Sequence, residues 1–141
     1  MRGGPIGALM LATALVAAAC SRTNLPTRNV PDLGGAPGAL LEGTLVADGP
    51  CVYLDWPGPP AQRWLVIWPF GYQRDRDAIL DGDRPVATIG GFAGLGGGEA
   101  QTDEAGMVIF PEMAGEIPAD CRVGLYWSAY SITRTPLRPA P

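Results

Sequence analysis

Along the middle of the chain, apolar and polar residues alternate with the period of two that a half-buried strand requires. Over Leu40 to Ala47, Leu41, Leu45 and Ala47 share one face, and Glu42, Thr44 and Val46 share the other. Asp48-Gly49-Pro50 then turns the chain into Cys51-Val52-Tyr53-Leu54-Asp55, and Pro57, Pro59 and Pro60 stop that run. Arg63 to Trp68 is the clearest strand, rich in aromatic and β-branched residues, with Trp64, Val66 and Trp68 opposite Leu65 and Ile67. Asp81-Gly82 separates Ala78-Ile79-Leu80 from Val86-Ala87-Thr88-Ile89 as a hairpin turn does. Cys121 to Ile132 reads as a long closing strand. Thr102 to Met113 is the one stretch open to a short helix, and Gly106 and Pro111 oppose it.

Short strands divided by turn signals predict an all-β domain, either a barrel or a sandwich. Cys51, Trp64 and Cys121 are spaced much as in an immunoglobulin-like sandwich, which is the alternative. Against it, Ala119 stands where a tyrosine is expected two residues before the second cysteine, and too few strands are readable. A small five- to six-stranded barrel, OB-fold-like, needs fewer strands and suits a body spanning 40–133. It is the expected fold.

The two ends read differently from the body. Met1-Arg2 carries one positive charge, Ile6 to Val16 is apolar, and Ala17-Ala18-Ala19 precedes Cys20. That is the three-part layout of a secretory signal peptide, too short to span a bilayer comfortably. Ala17-Ala18-Ala19-Cys20 resembles the lipobox of bacterial lipoproteins, with Ala17 where that family prefers Leu. The resemblance implies cleavage before Cys20, diacylglyceryl transfer to its thiol, and anchoring in the bacterial cell membrane or outer membrane. Ser21 to Ala39 lacks apolar periodicity and contains Pro26, Pro31 and Pro37, so it reads as a flexible tether. The expected organisation is a signal peptide over 1–19, a lipidated cysteine and tether over 20–39, the β domain over 40–133, and a disordered tail over 134–141.

Cysteine arithmetic fits this layout. The chain has 3 Cys. With Cys20 consumed by lipid, Cys51 and Cys121 remain as an even pair in an oxidising compartment, and a Cys51–Cys121 disulfide is expected.

Charge and composition then narrow the function. With 14 acidic and 10 basic residues the net charge is −4, which speaks against a nucleic-acid partner. Every basic residue is Arg, and the chain has no His, which removes imidazole-based catalysis and imidazole metal ligands. Gly90 to Gly98 is Gly-rich but is followed by Glu99 in a chain without Lys, unlike a phosphate-cradling loop. It reads instead as glycines permitting bulges and positive φ where a barrel strand bends. Asp75, Asp77, Asp81 and Asp83 could suggest Ca²⁺. Their spacing is not that of an EF-hand, and Arg74, Arg76 and Arg84 neutralise much of the cluster. Trp56, Trp64, Trp68 and Trp127, with Tyr53, Tyr72, Tyr126 and Tyr130, are candidates for a stacking surface. Those at alternating strand positions are assigned to the core, and Trp56, among prolines, to an exposed loop.

Five features together are similar to a group of small bacterial lipoproteins that carry no assigned activity. They are Gly43-Thr44-Leu45, Cys51, the turn Trp68-Pro69-Phe70-Gly71-Tyr72, Gly90 to Gly98, and Cys121 with Tyr126-Trp127. The expectation is therefore a lipid-anchored envelope protein acting as a non-enzymatic binding or structural module, without catalytic residues, cofactor or metal. Its expected partners are the membrane, through the anchor, and an envelope protein or glycan. A small-ligand, glycan or metal-binding lipoprotein is the alternative.

Overall fold

The computed structural model of the chain describes residues 22–29, 38–111 and 113–134. In chain order the strands are β1 (Arg22–Asn24), β2 (Ala39–Asp48), β3 (Cys51–Trp56), β4 (Gln62–Ile67), β5 (Tyr72–Asp75) and β6 (Ala78–Asp81). They continue with β7 (Arg84–Thr88), β8 (Phe92–Glu99), β9 (Gln101–Thr102), β10 (Val108–Phe110) and β11 (Tyr126–Thr133). Five of them, β2, β3, β4, β8 and β11, close into a barrel. Numbered one to five along the chain, these run one-two-three-five-four around the barrel and back to one. The three–five pair, β4 with β11, is parallel, and every other barrel pair is antiparallel. This is the connectivity of an OB barrel, and the fold is the small all-β barrel expected.

Strand β2 shows how the sequence makes closure possible. Its first half pairs with β8 and its second half with β3, and Thr44 has a register partner on each side, Phe92 and Asp55. A strand serving two neighbours must bend tightly, and Gly43 lies at the bend. A Cβ there would meet the Asp55 carbonyl oxygen at 2.2 Å, so only glycine lets the two strands come this close. The hairpin into β3 turns on Gly49, whose φ of 56° lies in the left-handed region.

The barrel interior holds Leu41, Leu45, Trp64, Val66, Trp68 and Trp127, as foreseen, together with Val52 and Leu54 of β3, while Ala47 stays only half-buried. Trp64 and Trp127 pack edge to face, with ring centroids 5.8 Å apart and planes at 84°. Trp127 Nε1 donates to the Leu95 carbonyl at 3.2 Å, which satisfies its buried N–H. The sheet β1-β5-β6-β7 adds Ile79 and Ala87 to the same core, and Leu25, just after β1, joins them.

Several elements depart from the sequence reading. Residues 22–29 belong to the body rather than to a tether: β1 pairs with β5, Leu25 is buried, and Arg28 donates its backbone N–H to the Trp68 carbonyl at 3.0 Å. A single apolar side chain and a run of bridges hold the segment, and neither leaves periodicity in the sequence. Trp56 ends β3 and packs against the core instead of standing in a loop. Cys121 does not open the closing strand. It ends a 3₁₀ turn, Ala119–Cys121, that follows Pro118, and β11 starts at Tyr126. The stretch open to a helix is the β9–β10 pair, turned by Asp103, whose carboxylate accepts from the N–H groups of Ala105 and Met107. The irregularity in the Gly-rich region lies in the partner strand. The register of β11 shifts between Ala129 and Ser131, opposite Gly97 and Gly96 of β8.

Candidate functional site

An OB barrel commonly binds along the outer face of its second and third strands, between the one–two and four–five loops. Here those strands are β3 and β4, and that face is largely filled by the chain itself. Cys51, Tyr53, Leu65 and Ile67 point outward and are buried beneath Ala100, Ile117, Cys121 and Tyr126, with Val108 and Met113 packed alongside. All the covering residues except Tyr126, on β11, come from the long connection between β8 and β11. The Cys51–Cys121 disulfide ties this cover to β3, joining positions 70 residues apart with Cα atoms 5.3 Å apart. This explains why Arg63 to Trp68 is apolar on both faces: one lines the barrel and the other lies under the connection.

The face stays polar only at its far end. There Arg63 binds Asp55 through two hydrogen bonds, and its guanidinium lies 5.3 Å from the Tyr53 ring centroid. Burial, with the Asp48 carboxylate second, holds the Tyr53 hydroxyl above its ordinary value, so it remains a neutral phenol.

Open space remains where the one–two and four–five loops meet the N-terminal segment. A groove of about 450 Å³ runs between Pro50 at the β2–β3 turn, the turn carrying Phe70 and Tyr72, Leu25 and Pro26, and Pro118. Phe70 is 48% exposed on its rim. Tyr72 is fixed from behind by Trp68, with ring centroids 6.3 Å apart and planes 23° apart. Glu116 is the charged residue in the lining. Rigid aromatic rings and prolines suit the docking of a ligand with flat apolar faces, whether a peptide or a sugar ring.

Of the residues singled out from sequence, Cys20 lies outside the described residues. Cys51 and Cys121 are brought together as a disulfide. Two of the four aspartates are drawn into ion pairs, Asp81 with Arg84 at 3.1 Å and Asp83 with Arg22 at 2.8 Å. Among the described residues no group of three His, Cys, Asp or Glu is placed to hold a metal ion. The glycines of β8 form a barrel strand rather than a phosphate loop. Tyr72 is the one stacking candidate in the groove, and the sequence reading missed its companion Phe70 and the three prolines. For Pro50 and Phe70 the signal is turn chemistry at Gly49-Pro50 and Trp68-Pro69-Phe70-Gly71, which marks loops without saying which loops meet. Comparison with protein families, with curated proteins and with solved structures finds no match to this chain.

Proposed function

We propose that this chain is an exported envelope lipoprotein, anchored by lipid on Cys20, whose barrel is a non-enzymatic binding module for an envelope protein or glycan. The observation that carries the reading is the Cys51–Cys121 disulfide. Stable disulfides belong to oxidising compartments, and this one leaves Cys20, behind three small residues and an apolar run, as the odd cysteine. Lipid is the use that such a position offers. The groove beside Phe70 and Tyr72 is the contact surface in this reading, since the usual OB face is covered.

Expression in a bacterium followed by fractionation and intact-mass measurement tests it. The mature chain is expected in the membrane fraction, starting at Cys20 and carrying diacylglyceryl mass. Cys20→Ser is expected to lose the lipid and leave the membrane. A mature chain that begins elsewhere, or carries Cys20 unmodified, overturns the reading.

A further inference from the structure

The geometry points to a second site, a cationic cleft where β7 meets β11, that takes the carboxylates of an acidic saccharide. The inference rests on the reading of the barrel as an envelope binding module and names its ligand class.

The cleft measures about 440 Å³, within the size range of small-ligand sites, and is lined by Tyr72, Arg84, Val86, Tyr130, Ile132 and Arg134 among others. Its charge runs against that of the chain. Arg84 and Arg134 line it, and the guanidinium of a third arginine, Arg28, lies 3.9 Å from the Tyr130 ring centroid. Among the described residues the carboxylate paired with a cleft arginine is Asp81, which binds Arg84 at 3.1 Å. Asp83, the next carboxylate along, is turned to Arg22. Two guanidinium groups line the cleft against one paired carboxylate, with a third behind the Tyr130 wall, a local positive excess in a protein of net charge −4 that an anion would neutralise.

Arg28 strengthens the argument. It is only 5% exposed, its Nε lacks a hydrogen-bond partner, and no carboxylate pairs with it among the described residues. Stacked on Tyr130, its charge adds to the positive potential behind that wall of the cleft. Arg134 is held in place by donating from Nε to the Val86 carbonyl at 2.9 Å and from Nη2 to the Pro85 carbonyl. Its fork keeps further N–H donors for a ligand, as does Arg84, whose side chain is 74% exposed.

The walls select among anions. Guanidinium forks match carboxylates in geometry as well as charge. Both tyrosines are preorganised, Tyr72 by Trp68 and Tyr130 by Arg28. Tyr72 also lines the apolar groove, so cleft and groove share a wall. A ligand that follows this surface must offer flat apolar faces in one stretch and carboxylates in the next. A chain of carboxylated sugar rings does both.

Calorimetric titration of the purified full chain tests the assignment with oligogalacturonate, neutral oligogalactan, polyglutamate and inorganic phosphate as probes. Oligogalacturonate is expected to bind, more weakly as salt rises, and oligogalactan at least about tenfold more weakly. Arg84→Gln is expected to weaken oligogalacturonate about tenfold while keeping the fold, and Arg63→Gln, on β4, to leave it unchanged. Arg134→Gln also removes the clamp on β7, so Arg84→Gln is the decisive variant. Equal binding of oligogalactan, tighter binding of polyglutamate or phosphate, no binding at all, or indifference to Arg84→Gln overturns the assignment. Because binding is read on purified chain, such a failure leaves the fractionation result for Cys20 standing, and a failed fractionation leaves binding readable.

Discussion

Arg63 grips Asp55 through two parallel hydrogen bonds, Nε to Oδ1 at 2.7 Å and Nη2 to Oδ2 at 2.8 Å, from the directly opposite position on the neighbouring strand. The Arg63 hydrogen bonds hold the Asp55 carboxyl below its ordinary value of 3.8, against a smaller opposing effect of burial. A carboxyl lowered in the folded state contributes stability that is complete above the ordinary value and disappears as pH falls through the folded one. The side chains are 45% and 38% exposed, so solvent screening keeps the contribution modest. Asp55→Asn is expected to cost about 0.5 kcal/mol at neutral pH, typical of an exposed pair. In urea unfolding at a series of pH values, the gap from wild type should close below pH 3.8. A gap that persists unchanged at pH 2 would sink the assignment.

The disulfide offers a larger effect. Its cysteines are 2% and 1% exposed, so reductant reaches the bond only when the connection over β3 and β4 opens. Closing a loop of 70 residues is worth about 4 kcal/mol in the chain-entropy model. Replacing both cysteines by alanine should therefore lower the urea midpoint steeply. In the native wild type, reduction by a small thiol should be slow and should accelerate with urea. Rapid reduction without denaturant would show that the connection does not shield the bond.

How much of this was legible in the sequence follows from the range of the interactions concerned. The alternation in Leu41 to Ala47 and Trp64 to Trp68 encodes which side chains face the barrel, because a two-residue period is a local property. The turn at Asp81-Gly82 and the cysteine pairing were readable for similar reasons, one from turn chemistry and the other from parity. The groove was not readable. Pro50, Phe70 with Tyr72 just after it, and Pro118 lie in three separate connections, and only the barrel order brings them together. The cationic cleft was hidden more deeply, since Arg84 reads in sequence as the neutraliser of an aspartate cluster. Its partners across the cleft, Tyr130 and Arg134, lie at the far end of the chain.

Strand β8 yields a graded test of close packing. A Cβ on Gly97 would meet the Ser128 carbonyl oxygen at 1.9 Å, and backbone cannot step aside without breaking the β8–β11 ladder. A Cβ on Gly94 would meet Thr133 Oγ1 at 2.5 Å, a side-chain atom that can rotate away. Gly97→Ala is thus expected to cost about 3 kcal/mol or to prevent folding, and Gly94→Ala about 1 kcal/mol. Thermal melts of the two variants provide the check, and equal melting temperatures would contradict the register of β8 on β11.

The last prediction concerns the segment that precedes the barrel strands. Read from sequence, Ser21 to Ala39 is a tether, and a protease specific for basic residues should cut it readily at Arg22 and Arg28. The structure gives the opposite expectation. Arg22 lies in β1 and pairs with Asp83, Arg28 is 5% exposed, and between them Leu25 is 6% exposed against the barrel core. Cleavage needs an extended, accessible backbone, so these bonds become available only when the segment lifts away. Trypsin should therefore spare Arg22 and Arg28 in the native chain over a time that digests an unstructured peptide of the same sequence. Leu25→Ala removes the one apolar side chain that seats the segment, at a cost of about 2 kcal/mol or more. That variant should be cut rapidly at both arginines while the disulfide-tied barrel survives. Fast cleavage of the wild type would restore the tether. Resistance would mean that Arg22 to Arg28 stay seated on the barrel.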